Sequence, residues 1–330
     1  MSVTVGVVGA GAIARQMHLP VLCAIPEVRV AWVADLSVDR ARETVAALAL
    51  PAEAVRADPS TLPPCDVALL ATPVGVRGPY YEELARRGTA VFAEKPFATR
   101  QEDHLRWASL FPPERVVCGF MRRTYETTRL LRTLVAESSL GPLREIVTRD
   151  GGRTGRTGTD RSFLDDPAAA GGGALLDYGS HSLDTALFVS HATSFELLSA
   201  SAAWDGPIDR ETRAHLRLDT PAGPVLLDFG VSWFERQPNT IELVFDRARI
   251  RAGLLPEAGV SLLGADGAPI ARLSSAHRAA RTPYQSFYAE WRSFLDGLSG
   301  GPASEIRAAS AALTTGAVEA IYGRASVARP

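Results

Sequence analysis

The chain has 330 residues, of which 46% are hydrophobic and 22% charged, a globular composition long enough for about two domains. A formal net charge of -2 and a pI near 6.3 give no basic field to attract nucleic acid or an acidic membrane, so the expected partner is a small molecule. The three cysteines are scattered without a Cys-x-x-Cys, no apolar run of about 18 residues suggests a membrane span, and no basic leader opens the chain. These features together predict a soluble, cytoplasmic protein with no metal site.

In chain order, an apolar strand at 4–9 ends in glycine and is followed by a helix opening at Ala12. A strand at 28–34, a helix at 40–48, a strand at 67–71 and a helix at 79–87 come next, then a strand at 90–93, a helix at 101–110 and a strand at 115–118. Apolar strands alternating with helices predict a doubly wound parallel sheet of Rossmann type over residues 1–120. Beyond it the pattern changes. Helices at 124–137, 174–189, 284–298 and 304–322 surround strands at 143–149, 214–218, 225–233, 240–245 and 260–263. Strands that follow one another without long helices between them predict an α+β domain with a mixed or antiparallel sheet over 121–330.

Gly9-Ala10-Gly11-Ala12-Ile13-Ala14 fits Gly-x-Gly-x-x-Ala directly after a strand. The first glycine permits a tight turn, the second lets a pyrophosphate approach the backbone, and free N–H groups at the helix start meet its charge. Asp35 follows at the end of the second strand, where a carboxylate accepts ribose hydroxyls and repels a 2′-phosphate. NAD is therefore expected ahead of NADP, with Arg40 close by as the feature that argues the other way.

Of the 35 lysines and arginines, only Lys95 is lysine. It lies in Glu94-Lys95-Pro96 after a strand, at the carboxyl edge where open α/β sheets bind ligands. Arginine does not replace a compact ammonium of adjustable pKa, although a chance survivor is the plain alternative. A second segment runs from Gly171-Gly172-Gly173 to Asp184 and places Asp177 and His181 at i and i+4 of a helix. A carboxylate beside histidine suits general acid–base chemistry; a metal pair or a buried structural pair are the alternatives.

These motifs, with Ala71-Thr72-Pro73 at the end of the third strand, resemble the glucose–fructose oxidoreductase, inositol dehydrogenase and rhizopine-catabolism family, Gfo/Idh/MocA. The resemblance spans nearly the whole chain. It implies a Rossmann domain followed by a domain with a large, mostly antiparallel open sheet that joins homodimers or homotetramers. Gly9, Gly11, Ala12, Ile13, Asp35, Thr72, Pro73, Glu94 and Lys95 would bind the dinucleotide. Lys95, Asp177 and His181 would form the catalytic group, with His181 moving the substrate proton and Lys95 steadying the alkoxide. Histidine at 181 makes the chain look like the inositol dehydrogenase branch. One departure stands out: Val74-Gly75-Val76-Arg77 follows Thr72-Pro73, where the family often has Asn and a nearby His.

The implied activity is hydride transfer between nicotinamide and a secondary alcohol or ketone of a sugar or cyclitol. One alternative is a ketoreductase for a nucleotide-linked or phosphorylated sugar. Another, of a different class, is a non-catalytic dinucleotide-binding sensor or structural subunit. Arg149, Arg153, Arg156 and Arg161 punctuate a glycine-rich loop whose plain reading is a solvated loop. The sharper reading is an anion-binding one, with Arg122, Arg123, Arg156 and Arg161 as candidate substrate ligands. His18 is expected to neighbour the cofactor, and Tyr178 to pack.

Overall fold

The computed structural model describes residues 2–152, 172–264, 266–274 and 280–327, and these fall into two compact units. The first holds residues 2–120 and Phe287–Ala312; the second holds the remaining described residues.

The first unit is built on a six-stranded sheet ordered β3-β2-β1-β4-β5-β6. Its strands are β1 Val3–Val8, β2 Val28–Asp35, β3 Glu53–Arg56, β4 Val67–Leu70, β5 Ala90–Glu94 and β6 Val116–Gly119. Every pairing is parallel. The strand order reverses between β1 and β4, which creates the crevice where doubly wound sheets take ligands. All residues of β4 and β5 are buried, as expected for strands covered on both faces. The covering helices include α1 Leu19–Cys23, α2 Val38–Ala47, α3 Gly78–Arg86 and α4 Gln101–Ala108.

Residues 287–312, which the sequence places in the C-terminal domain, return to this unit for a physical reason. Trp291 stacks on Phe92 of β5 with ring centroids 4.5 Å apart, and the Val117–Arg307 bridge caps the edge strand β6.

The second unit carries an eight-stranded sheet ordered β14-β13-β12-β11-β7-β10-β9-β8, antiparallel except where β7 pairs with β10. The strands are β7 Leu143–Gly151, β8 Ser194–Asp205, β9 Ile208–Thr220, β10 Gly223–Ser232, β11 Thr240–Phe245, β12 Arg249–Gly253, β13 Val260–Leu263 and β14 Pro269–Leu273. Its helices are α5 Glu126–Glu137, α6 Ser180–Ser190, α7 Pro283–Leu298 up to Ser286, and α8 Ala312–Val327 from Leu313. Apolar residues alternate inward, while the other side chains form ion pairs such as Arg251–Glu242, Arg217–Glu196 and Arg149–Asp228.

Four strands carry no sequence signal. The edge strands β8 and β14 contain no fully buried residue, and β3 and β12 are short and punctuated by charge, so hydrophobic periodicity fails to mark them. The helix expected at 304–322 begins instead as a 3-10 turn at Ala308–Ala311, because Arg307 just before it bridges to Val117 of β6.

Candidate active site

The glycine turn sits at the strand-order reversal. Gly9 has φ +101°, and a Cβ there would lie 2.8 Å from the Ala71 carbonyl, so only glycine fits. A Cβ on Gly11 would meet nothing within 4 Å, which leaves open space beside the helix start at Ala12 and Ile13. Thr72 Oγ1 is buried without a hydrogen-bond partner, a polar group that asks for a ligand. Room at Gly11 and the orphan at Thr72 both fit a dinucleotide; Pro73 follows at the mouth of the same turn.

Asp35 ties this turn to the end of its own strand with its two carboxylate oxygens. One accepts the Ala10 N–H at 2.9 Å and the other the Ser37 N–H at 3.0 Å. Each oxygen keeps a second lone pair, so the ribose role is still available. The Arg40 guanidinium stands 3.6 Å away and is half exposed.

Glu94 ends β5 and Lys95 and Pro96 follow it, with a cis bond between Lys95 and Pro96. Glu94 accepts from Lys95 N–H at 3.0 Å and pairs with His18 Nε2 at 2.7 Å. Burial pushes its carboxyl up, but the His18 bond and the nearby Lys95 and Arg77 charges outweigh that and hold it below the usual range. Arg77, read from sequence only as part of a departure from the family pattern, is 3% exposed and bonds the carbonyls of Thr72 at 2.9 Å and Pro96 at 2.8 Å, and that of Glu94. It clamps the ends of β4 and β5 together. Its signal in the sequence is faint, since its targets lie up to 19 residues away.

In the second unit Asp177 lies in a π-helical turn, Leu175–Gly179, that runs into α6. Such turns recur at functional sites. The glycines before it have a packing cause: a Cβ on Gly172 would fall 2.2 Å from Tyr322 Oη, and one on Gly173 would fall 2.1 Å from the Asp209 carbonyl. Fully buried Asp209 accepts from Gly173 N, Leu175 N, Thr212 Oγ1 and Tyr322 Oη, which anchors the start of the segment. Burial first, and then the Asp209 carboxylate, keep the Tyr322 hydroxyl far above its ordinary range. From Gly173 to Leu187, only Asp177, Tyr178 and His181 are not buried.

Arg122 and Arg123 serve the interior of this unit. Arg122 bonds Asp150 at 2.7 Å, and Arg123 grips Asp184 with two nitrogens at 2.8 and 2.6 Å. Both are nearly fully buried, so their charge is spent on carboxylates within the fold. Arg149 pairs with Asp228. Arg153, Arg156 and Arg161 lie outside the described residues. Among the described residues no cluster of three or more His, Cys, Asp or Glu side chains suited to a metal is found, and no helix is long and apolar enough to cross a membrane.

Residues 3–119 match the model of an oxidoreductase family with an NAD-binding Rossmann fold, and residues 128–251 match the model of the GFO/IDH/MocA C-terminal domain. The chain belongs to the Gfo/Idh/MocA oxidoreductase family. A dTDP-3,4-didehydro-2,6-dideoxy-alpha-D-glucose 3-reductase of Streptomyces antibioticus is 30% identical over 262 residues, 76% of either chain. Aldose-aldose oxidoreductase from Caulobacter crescentus has the same fold, with a TM-score of 0.81 at 19% identity over 100% of this chain and 99% of that one. A 3-ketoreductase from Actinomadura kijaniata, solved with NADP and TDP-benzene, gives 0.78 at 20% identity over 98% of both chains. The expected family, the Rossmann sheet, the mostly antiparallel second sheet and the nicotinamide dinucleotide cofactor of this Gfo/Idh/MocA oxidoreductase are thus established.

Proposed function

We propose that the protein reduces the keto group of a nucleotide-linked sugar, or oxidises the matching alcohol, with Lys95, Asp177 and His181 as its catalytic group. The observation that carries the chemistry is the half-open Asp177 and His181, with Tyr178 between them, on an otherwise buried segment whose start is tied to Asp209 through Gly173 N and Leu175 N. The Streptomyces relative, named for a dTDP-linked keto sugar, supports the substrate class. A free sugar or cyclitol is the second reading, favoured by histidine at position 181.

The dinucleotide supplies or accepts the hydride. Gly9, Gly11, Ala12 and Ile13 would hold its pyrophosphate at the helix start, Asp35 its adenosine ribose, and Thr72, Pro73 and Glu94 its nicotinamide half. His181 gives a proton to the substrate oxygen during reduction and takes it back during oxidation. Asp177 orients the imidazole, and the Lys95 ammonium steadies charge that develops on the oxygen. Asp35 favours NAD over NADP. Self-association through the open sheet is also proposed, and light scattering checks it.

The test is a panel of dTDP- and UDP-linked keto sugars, free sugars and inositols, followed by nicotinamide absorbance. Turnover confined to nucleotide-linked substrates supports the first reading, and turnover on free polyols the second. Dinucleotide binding without turnover on any of them points instead to a sensor.

A further inference from the structure

Behind Glu94 lie two buried side chains that the proposed chemistry does not use. Trp291 and His18 are both fully buried. The indole N–H of Trp291 donates to His18 Nδ1 at 3.0 Å, and His18 Nε2 stands 2.7 Å from Glu94 Oε1. Glu94 Oε2 in turn accepts the backbone N–H of Lys95 at 3.0 Å.

An indole N–H can only donate. His18 Nδ1 must therefore present its lone pair, and the ring proton stands on Nε2, aimed at the carboxylate. Aromatic contacts fix the imidazole plane: Phe92 and Phe287 meet it edge-on at 5.3 and 4.8 Å. With Arg77 on the carbonyls of Glu94 and Pro96, the backbone on either side of Lys95 is held from two directions.

We propose that Trp291 is a positioning residue for Lys95, acting by fixing the tautomer of His18 and, through it, the Glu94 carboxylate that holds the Lys95 amide. Without the indole N–H, His18 is free to flip tautomer, which points a lone pair at Glu94, or to take a second proton, which neutralises Glu94. Either change alters the setting of Lys95 through Glu94 and leaves Gly9, Gly11 and Asp35, proposed for the pyrophosphate and the adenosine ribose, unchanged.

This inference rests on Lys95 being the reactive lysine, yet its first two tests need no substrate. Ring nitrogen NMR of the cofactor-free protein reads the His18 tautomer. Acylation by an amine-reactive reagent, followed by peptide mapping, reads the sole lysine. The wild type is expected to show His18 as the Nε2–H form. Trp291→Phe keeps the stack on Phe92 and should lose that form, changing the Lys95 acylation rate about threefold or more. With a turned-over substrate, kcat should fall about tenfold while the KM for the dinucleotide stays within about twofold. His18→Leu should reproduce the acylation change, so the test does not hang on one variant.

An imidazolium or Nδ1–H ring in the wild type overturns the proposal. So does a Trp291→Phe protein that keeps both the ring spectrum and the acylation rate of the wild type. If the spectrum and acylation behave as expected but no sugar is turned over, the proposed function fails and the positioning role of Trp291 stands.

Discussion

In the first unit the residues assigned to chemistry stand at the carboxyl ends of separate strands; in the second they share a single helical segment. Gly9, Asp35, Thr72 and Glu94 come together only because β1, β2, β4 and β5 are adjacent and parallel. Asp177 and His181 lie four residues apart on one segment, where a π-helical turn runs into α6, and most of the residues around them in the chain are buried. The first arrangement makes a binding crevice sensitive to strand geometry. The second makes the proposed acid–base pair sensitive to the anchoring of one helix start.

Substitutions should separate the two. The largest effect is expected at Lys95 itself: Lys95→Arg should lower kcat at least about a hundredfold, because a broad guanidinium does not replace a compact ammonium. Titration calorimetry should still find NAD bound, so the loss is chemical. His181→Ala should cost about a hundredfold in kcat, the usual scale for a general acid or base, again with the cofactor bound.

Gly173→Ala attacks the second unit through its anchor. The added methyl would overlap the Asp209 backbone, and a loss of about 2–3 kcal/mol in denaturant unfolding is expected. The smallest effect is in acid. Glu94 titrates below its ordinary value of 4.5, so its contribution to stability is present above that value and is lost as the pH falls through the lower, folded one. Melting temperatures across that window should fall less steeply in Glu94→Gln than in the wild type.

Much of the first unit is legible in the sequence because its strands are short apolar runs and its glycine turn is contiguous. The proposal of Asp177 and His181 likewise rests on a local feature, a spacing of four residues along one segment. What stays hidden is carried by contacts distant in the chain. His18 and Glu94 are 76 residues apart, and Trp291 reaches His18 across 273. No periodicity marks such pairings. Arg122 and Arg123 misled for a related reason: adjacent arginines resemble an anion site, but their carboxylate partners, Asp150 and Asp184, lie 28 and 61 residues away. Strands β8 and β12 escaped notice because the inward side of β8 is only half-buried, and β12 is five residues long with two buried positions.

Whether Lys95 is the working lysine of this oxidoreductase can be measured directly, because the chain holds no other lysine. Acylation with an amine-reactive reagent, mapped by mass spectrometry and followed alongside turnover, should modify Lys95 and the N-terminus. Activity should disappear in step with Lys95 modification, and bound NAD should slow both. A protein acylated at Lys95 that still turns over its substrate at the original rate would contradict the account.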